Sequence, residues 1–552
     1  MRKTTAVLAL LTALIIGAPA QNAFRNFNIN PPDSVNLSAN QTALRNQGGR
    51  RTCITFAAIA ALEAAYKKAG YGDLNLSEQF LNHMGKNFWL DVPWDTVLHR
   101  GADGAENQVS AFGGGQAWSY IEELASGLKV PEEQYMPYVG RNYGPQDFPA
   151  LSHAWNDAAY WKTEITHSDF NLNNKFLPEA ALTADKYYSV LDYGELGGKD
   201  IPSMEGILAS GLELTWDCMI RIQPGTQSGI WQPCTGCQGA GHAMLLIGYV
   251  HRSTDNTKNY FLVKNSAGHT SFPGGYEHVS YAYVLANGLK CAYIRNINPP
   301  ARWKELGFVG RWHLDFDGHR GVLDIYHVPH IDDHFFSQHN VHVNDLRIGS
   351  FYENGKAYKV NGSMRGNTID FYIDADNPDV RWEVLGGKHF TYSLLYDKAP
   401  VMAGIQVDPD GSLYGGVATL ASLPAAITPR PDLNPFGHGE WSIELGHESG
   451  KLQIESSIVA APSAAGLVTS DYETHTVTLQ LPSGTHTGYG MVEKKNRNYM
   501  LLIIPDLFGA FHPNAGYVSI YLFNFEKGTA AGTAVYQDGS MGGVVLHTGG
   551  LL

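Results

Sequence analysis

The feature that most constrains the fold is a change of sequence pattern at Pro299-Pro300. Before it, from about residue 33 to residue 298, stretches with helical periodicity alternate with apolar runs of strand length. After it, residues 302–552 consist almost wholly of short alternating runs separated by Gly and Asn, which is typical of β-structure. A chain of 552 residues also exceeds one core, at roughly 100–200 residues per domain. We therefore expect a mixed α and β domain followed by all-β domains.

The all-β part contains an internal similarity. Gly310–Ile325 aligns without gaps with Gly439–Ile454, and both segments share Gly, Trp, an aliphatic residue, an acid and then Gly-x-Leu-x-Ile. This predicts two tandem copies of one β module, at 302–430 and 433–552. Chance similarity between two strand-turn-strand units is the alternative. Each copy is long enough for a small closed barrel or a sandwich.

Composition and charge exclude two classes of protein. Hydrophobic residues make up 44% of the chain and charged residues 17%, which excludes a disordered, charge-driven polymer. The net charge is −14, from 39 Lys and Arg against 53 Asp and Glu. A nucleic-acid-binding protein needs a basic face that displaces counterions, so we expect no nucleic acid as a partner.

The first twenty residues have the pattern of a secretory signal peptide. Arg2 and Lys3 precede the apolar run Ala6–Ile16, and Ala18-Pro19-Ala20 supplies small residues for cleavage. The run is short for a membrane span, although an anchored N-terminus is the alternative. We expect residues 1–20 to be removed, a short segment at 21–32, no membrane span and a secreted protein in which disulfides can form.

One cysteine precedes a helical pattern. Residues 53–69 are predicted to form a helix with Gly70 as its stop, because apolar residues recur at helical spacing. Cys53 stands at its start, where the helix dipole favours a thiolate and unsatisfied N–H groups can bind an oxyanion. Gln47, a few residues earlier, can add a side-chain donor. Packing alone is the more common explanation for a lone buried cysteine.

A base and a group to orient it follow later in the chain. His242 precedes the predicted strand Ala243–Val250, and Asn265 follows the predicted strand Tyr260–Lys264. If the strands are neighbours, the Asn265 amide oxygen can hold one imidazole nitrogen while the other faces the thiol.

Residues 33–298 resemble the papain-like cysteine peptidases. Five ordered groups of residues carry the resemblance: Asn46-Gln47-Gly48 with Cys53; Leu76-Ser77-Glu78-Gln79; Gly113-Gly114-Gly115 with Tyr120-Ile121 and Glu133-x-Tyr135-x-Pro137-Tyr138; Gly241-His242-Ala243; and Lys264-Asn265-Ser266-x-Gly268 with Gly275-Tyr276.

The resemblance implies an α+β, two-lobed catalytic domain. The two all-β modules that the later pattern predicts, barrel-like or sandwich-like, have no counterpart in the family. It implies Cys53 as nucleophile, His242 as general base and acid, Asn265 as the orienting residue and Gln47 as oxyanion donor. The implied substrate-binding residues are Gly114, Gly115 and Gly241.

The sequence departs from the family at several positions. The family usually has Trp after the nucleophile and Trp after the Asn-Ser pair, and here these are Ile54 and Ala267. A common disulfide is missing, with Arg50 and Phe112 at its two ends; Arg50 and Arg51 either favour the Cys53 thiolate or are simply solvated. A long propeptide is also missing. Either none is needed, or the β modules mask the cleft.

The remaining motifs favour structural roles over metal-binding or redox roles. Cys234-Thr235-Gly236-Cys237 favours a structural disulfide over a zinc or redox site, and Cys218, Cys234, Cys237 and Cys291 permit three pairings once Cys53 is left out. Asp408–Gly411 favours a turn over a calcium site. A solvated loop is favoured over a metal site for the acidic and histidine-rich run that contains His327, His330, Asp332, Asp333, His334, His339 and His342. We expect no metal and no cofactor.

These observations predict an exported cysteine endopeptidase that acts on polypeptides through an acyl-enzyme. Two alternatives remain open. One is a catalytically retired domain that works with the β modules as a binding or surface-interaction protein. The other is a transpeptidase that uses an amine in place of water.

Overall fold

The structure is a computed structural model of the 552-residue chain. It describes residues 30–48, 52–89, 116–138, 177–221, 229–266, 276–316, 319–325, 328, 347–373, 388–395, 401–407, 413–420, 436–460, 469–494, 497, 499–504, 519–526, 528–536 and 541–548.

The N-terminal region is mixed α and β. Its helices are α1 (Cys53–Tyr66), α2 (Glu78–Trp89), α3 (Ala117–Ala125), α4 (Glu179–Leu182), α5 (Ile201–Ala209) and α6 (Tyr281–Asn287). Its strands are β1 (Ser34–Asn36), β2 (Val190–Gly197), β3 (Leu214–Ile220), β4 (Ala240–Val250), β5 (Tyr260–Lys264), β6 (Glu277–Ser280) and β7 (Gly288–Ile297). The predicted strand Tyr260–Lys264 is β5, and β4 begins three residues before its predicted start.

Contacts divide the chain into two compact units, and the described residues of the first lie within Met1–Asn75, Gly115–Glu122 and Val190–Ile297. Its antiparallel sheet has the order β2-β7-β3-β4-β5-β6, with β1 beside β4. The buried side of this sheet packs against α5 and α6 through Trp216, Tyr249 and Val284. The sheet brings the start of β4 and the end of β5 to the same region.

Helix α1 is buried almost all round, as expected for a helix rich in apolar and Ala residues. It ends at Tyr66, three residues earlier than predicted, because Lys67–Tyr71 continues as one wider turn. Gly70 has φ +92° there, a conformation that glycine adopts without steric cost. The predicted stop at Gly70 is therefore a wider turn and not an α-helical cap.

The second unit begins with α2 and includes residues after Pro299-Pro300. Ser77 caps α2, since its hydroxyl accepts the Phe80 N–H at 3.0 Å and donates to the Met136 carbonyl at 2.7 Å. Trp303 is 4% exposed and its ring packs against Phe80 and Tyr187, with ring centroids 6.3 and 6.0 Å away. Residues just beyond the proline pair thus pack on the helical part of the N-terminal region.

Sixteen strands follow in the described residues after Trp303. They are β8 (Gly310–Phe316), β9 (His319–Ile325), β10 (Arg347–Glu353), β11 (Lys356–Arg365), β12 (Thr368–Ile373), β13 (Lys388–Leu394), β14 (Val401–Val407), β15 (Leu413–Thr419), β16 (Gly439–Leu445), β17 (Glu448–Ile458), β18 (Tyr472–Leu481), β19 (Gly484–Glu493), β20 (Tyr499–Ile503), β21 (Ser519–Glu526), β22 (Thr529–Val535) and β23 (Met541–His547).

These strands form two closed antiparallel barrels of eight strands each. Each strand pairs with the next along the chain, and β15 returns to β8 while β23 returns to β16. Alternate residues point inward, as in β12, where Ile369 and Phe371 are buried and Asp370 is not. The predicted strand Thr368–Ile373 is β12; the other two predicted runs, at 476–481 and 518–523, lie in β18 and, from residue 519, in β21. Closed barrels leave no free sheet edge.

Side chains fill both barrel interiors. The first core contains Trp312, Tyr392 and the stacked rings of Phe371 and Phe390, whose centroids are 4.6 Å apart. The second contains Trp441, Ile443, Leu452 and Met500 among others. The barrel-like fold of the C-terminal modules is therefore confirmed, and the barrels are packed cores.

The opening hairpins of the two barrels have the same register. Gly310 pairs with Ile325 and Trp312 with Leu323 in the first. Gly439 pairs with Ile454 and Trp441 with Leu452 in the second. Both Trp indoles donate to the carbonyl four residues earlier, Phe308 at 2.8 Å and Gly437 at 3.3 Å. This correspondence supports the predicted duplication, which stays a prediction together with the boundaries at 302–430 and 433–552.

Outer faces of the two barrels meet in a small apolar contact. Leu395, Ala403 and Val417 of the first barrel pack against Ala531 and Val545 of the second. A Cβ at Gly543 would lie 2.5 Å from the Ser393 carbonyl oxygen, closer than van der Waals contact allows. At this point the barrels approach backbone to backbone.

Among the helices that the structure describes, none is both long enough and apolar enough to cross a membrane.

Candidate active site

Cys53 is the first residue of α1 and carries a free thiol. The helix starts without a side-chain cap: the Thr52 carbonyl accepts the N–H groups of Thr55 and Phe56 at 3.0 and 3.3 Å. The backbone N–H groups of Ala243, on β4, and of Ile54 and Cys53 act to lower the pKa of this thiol. The thiol therefore lies at a helix N-terminus, and the backbone of Ala243, the residue after His242, contributes to its electrostatics.

Strands β4 and β5 bring His242 and Asn265 together. The strands pair from Val250 opposite Tyr260 to Leu245 opposite Lys264, so the start of β4 lies near the residue that follows β5. The Nε2 atom of His242 is 3.0 Å from the Oδ1 atom of Asn265. Since the amide oxygen can only accept, Nε2 carries the proton, which leaves the Nδ1 lone pair as the basic site of the imidazole.

Gln47 is held beside Asn265 through Ser266. The Gln47 N–H donates to the Ser266 carbonyl at 2.9 Å, and the Ser266 hydroxyl donates to Gln47 Oε1 at 2.6 Å. Because Oε1 accepts this bond, the opposite end of the amide, Nε2, is the donor. This orientation suits a group that donates to an oxyanion.

A buried polar cluster links α1, which begins with Cys53, to β5, which Asn265 follows. Lys264, the last residue of β5, donates to the carbonyl and the hydroxyl of Thr42, both at 3.1 Å. The Thr42 hydroxyl in turn donates to Glu63 of α1. All three residues are buried, so α1 and β5 share a fixed frame in which every member has a charged or polar partner.

The electrostatics differ from the sequence expectation. Burial raises the pKa of the Cys53 thiol above its ordinary value, Asp217 adds to this, and the three N–H groups only partly offset it. The surrounding protein lowers the pKa of His242, and Asn265 partly offsets that. In this structure burial thus opposes the thiolate that a helix start favours.

Asp217 is a residue that the sequence reasoning missed. It is 3% exposed and lies opposite Ala243 on β3. Its carboxylate accepts the N–H groups of Ala117 and Trp118, at 2.9 and 3.3 Å, at the start of α3. Burial raises its pKa to about 7, against the lowering effects of these bonds and of Lys290. The available signal was an acid inside the apolar run of β3.

Glu277 was also missed. It begins β6 and is 7% exposed, and its Oε2 atom accepts from Asn265 Nδ2 at 3.2 Å. Burial raises its pKa and the bond from Asn265 lowers it. The available sequence signal was an acidic residue at the start of a strand, two residues after Gly275.

The other predicted positions divide into two groups. Gly241 is exposed in β4, and a Cβ there would meet open space; Ile54 is buried in α1. Positions outside the described residues are Gly114, Gly115, Arg50, Arg51, Phe112, Ala267, Asp408–Gly411 and, with His327, the run from His330 to His342. Within the part of the chain that is described, no group of three or more His, Cys, Asp or Glu residues could hold a metal ion.

Of the predicted disulfides, only the one within Cys234–Cys237 is present. Cys234 and Cys237 form a disulfide, whereas Cys218 and Cys291 are free and buried. On the paired strands β3 and β7, Cys291 lies opposite Trp216, and Cys218 lies opposite Gly288. The two residues are therefore diagonal to each other and not directly opposite, and both thiols are free, so an even pairing of the four cysteines is wrong.

Residues 31–291 match the family model described as papain family cysteine protease. Residues 31–291 form a papain-family cysteine protease domain. The match does not extend to the two barrels, and a search of curated proteins gave no match. The papain-family domain implies polypeptide substrates.

Solved structures with similarity to the chain are also cysteine proteases. The bromelain protease from Ananas comosus, solved in complex with the E64 inhibitor, is 19% identical, covering 48% of this chain and 98% of its own, with a TM-score of 0.30. Xylellain, a cysteine protease from Xylella fastidiosa, is 16% identical, covering 51% of this chain and 91% of its own, with a TM-score of 0.33. Both TM-scores are below 0.5, so the family match carries the assignment of the papain-family domain.

Proposed function

We propose that the papain-family domain is an active endopeptidase in which Cys53, His242, Asn265 and Gln47 hydrolyse peptide bonds. The observation that carries the proposal is the His242 imidazole, whose Nε2 lies 3.0 Å from Asn265 Oδ1, in the same compact unit as the free thiol of Cys53 at the start of α1. A free nucleophile, a base and its orienting group are the parts that acyl transfer requires.

In the first half-reaction the Cys53 sulfur attacks the scissile carbonyl carbon while its proton passes to His242 Nδ1. The N–H of Cys53 and Gln47 Nε2 donate to the oxyanion. The C–N bond then breaks, and His242 returns the proton to the leaving amine. In the second half-reaction His242 takes a proton from water, which attacks the thioester and releases the acid and the thiol.

The pKa directions favour a neutral thiol and a neutral imidazole in the resting domain. Burial raises the pKa of Cys53 and lowers the pKa of His242, so an ion pair between them costs free energy before substrate arrives. We infer that proton transfer accompanies attack on the carbonyl, where the oxyanion donors compensate the new charge.

The test is labelling with a peptide carrying a thiol-directed electrophile, followed by peptide mapping and by an assay of hydrolysis on an unstructured protein. We expect modification at Cys53, loss of hydrolysis in Cys53→Ala and slow labelling in His242→Ala. Cys291→Ala is the matched control, because it removes another buried free thiol. Hydrolysis that survives Cys53→Ala would overturn the proposal.

The same assay separates the alternatives. A retired domain would give neither labelling nor cleavage, and a transpeptidase would convert substrate to an amide when an amine is added. Export is a further part of the proposal: the mature secreted chain is expected to begin at Gln21, which N-terminal sequencing measures.

A further inference from the structure

The Asn265 amide is bonded at both ends. Its Oδ1 accepts the Ser266 N–H at 2.8 Å and lies 3.0 Å from His242 Nε2. Its Nδ2 donates to Glu277 Oε2 at 3.2 Å. Asn265 and Glu277 are each 7% exposed, so water has little access to either end.

An asparagine amide can turn by half a revolution at little intrinsic cost, and only its partners decide which end faces which neighbour. Turned over, Asn265 would present two N–H donors to His242 Nε2 and to the Ser266 N–H. The Nε2 proton would then lose its acceptor, and the tautomer that keeps Nδ1 basic would lose its support. A carboxylate on the Nδ2 side opposes this reversal because it can only accept.

We propose that Glu277 is a positioning residue that fixes the direction of the Asn265 amide and, through it, the tautomer and orientation of His242. The inference rests on the proposed function for its consequence in catalysis. Glu277 acts through Asn265 and contacts neither Cys53 nor substrate in this role. Glu277 lies on β6 opposite Val263 of β5. Val263 is two residues before Asn265 in the chain.

The experiment compares Glu277→Gln with Glu277→Met in the full chain. Gln keeps an acceptor oxygen for Asn265 Nδ2, whereas Met keeps the length of the side chain and removes the acceptor. The first measurement is the second-order rate of Cys53 alkylation by iodoacetamide, followed by mass spectrometry of the Cys53 peptide. This reaction needs an oriented imidazole and no peptide turnover, so it tests the inference even if the chain does not hydrolyse peptides.

We expect Glu277→Met to lower the alkylation rate and kcat by roughly 5- to 30-fold, the effect of losing about 1–2 kcal/mol of hydrogen bonding. KM should change by less than about twofold, because no binding contact is removed. Glu277→Gln should retain most of the alkylation rate and of kcat.

Glu213 supplies the matched control. It is a buried glutamate of the same unit, at 6% exposure, whose carboxylate accepts from Asn40 and Gln41 at 3.3 and 3.1 Å. Glu213→Met should leave Cys53 alkylation unchanged. Equal losses in Glu213→Met and Glu277→Met, or a Glu277→Met rate within about twofold of the parent, would overturn the inference. Should Glu277→Met fail to fold, an alkylation rate in a folded Glu277→Gln as low as in Asn265→Ala would also overturn it.

Discussion

The carboxylate of Asp217 accepts a hydrogen bond from the Ala117 N–H at 2.9 Å, and it raises the pKa of Cys53. One buried acid thus caps the start of α3 and acts on the thiol. At neutral pH its own pKa of about 7 leaves it partly ionised, so its charge changes in the range where a thiol peptidase is normally assayed.

Asp217→Asn should lower the pKa of the Cys53 thiol. The variant keeps one acceptor oxygen for Ala117 and removes the negative charge that opposes thiolate formation above pH 7. The measurement is the pH dependence of Cys53 alkylation, whose midpoint should move to lower pH. Asp192→Asn, which removes the partner of Arg295, is the control, and an unmoved midpoint in Asp217→Asn would contradict the role.

Asp217 should also make stability depend on pH. Its pKa is raised from 3.8 to about 7 on folding, so the native state binds this proton more tightly than the unfolded chain. The contribution to the free energy of unfolding is complete below about pH 4 and is lost as pH rises through about 7. Thermal unfolding between these limits should show a steeper fall for the parent than for Asp217→Asn. Parallel curves would argue against the raised pKa.

Gln47→Ala should lower kcat by about 10²–10³-fold if Gln47 is an oxyanion donor. Ser266→Ala removes only the hydroxyl that orients the amide, and should cost about tenfold or less, since one neutral hydrogen bond is worth about 1 kcal/mol. Steady-state kinetics on a peptide amide measures both. A change below about threefold in Gln47→Ala would exclude the donor role.

Truncation should be sensitive to Trp303. A chain that ends at Asn298 loses the Trp303 ring from its contacts with Phe80 and Tyr187, whereas a chain that ends at Lys304 keeps it. The shorter chain should be less stable by about 3–5 kcal/mol, the usual cost of removing a large buried side chain. Thermal unfolding of both chains and of full-length Trp303→Ala measures this.

The chain that ends at Lys304 also tests whether the barrels mask the substrate cleft, by comparison with the full chain. If the barrels cover the substrate cleft, the chain that ends at Lys304 should hydrolyse peptides faster than the full chain. Equal rates for the two would remove masking from consideration.

Trp312→Ala and Trp441→Ala should have similar consequences, because the two indoles occupy corresponding positions in the barrel cores. Each should destabilise its own barrel by about 3–5 kcal/mol. Calorimetry of the full chain and limited proteolysis would locate the loss in one barrel per variant. Leu413→Ala, at a position 40% exposed, is the control, and a barrel that tolerates the loss of its Trp would contradict the correspondence.

The sequence was most informative where neighbours in the chain are also neighbours in space. Strand β5 and the helix start at Cys53 follow from local periodicity. The hydrogen bond between His242 and Asn265 was expected from two short motifs and from the assumption that their strands are neighbours. Asp217 and Glu277 could not be found in this way, because their partners lie on α3 and β5 and only the assembled sheet brings them together. Trp303 illustrates the same limit. The sequence pattern changes at Pro299-Pro300, but the Trp303 ring beyond it packs against Phe80 and Tyr187, which precede it in the chain.

The direction of the Cys53 pKa shows a second limit. A helix start predicts a lower thiol pKa, but burial of that start decides the sign, and burial is a property of the whole fold. The end of α1 is a smaller example. Gly70 predicts that the helix stops, but its presence does not determine that Lys67–Tyr71 forms a wider turn.

Gly543 bears on how the two barrels meet. With no room for a Cβ between it and Ser393, the two barrels touch through their main chains, and any larger residue there would push them apart. Gly543 is therefore the position at which a side chain of any size would disturb the contact between the two barrels.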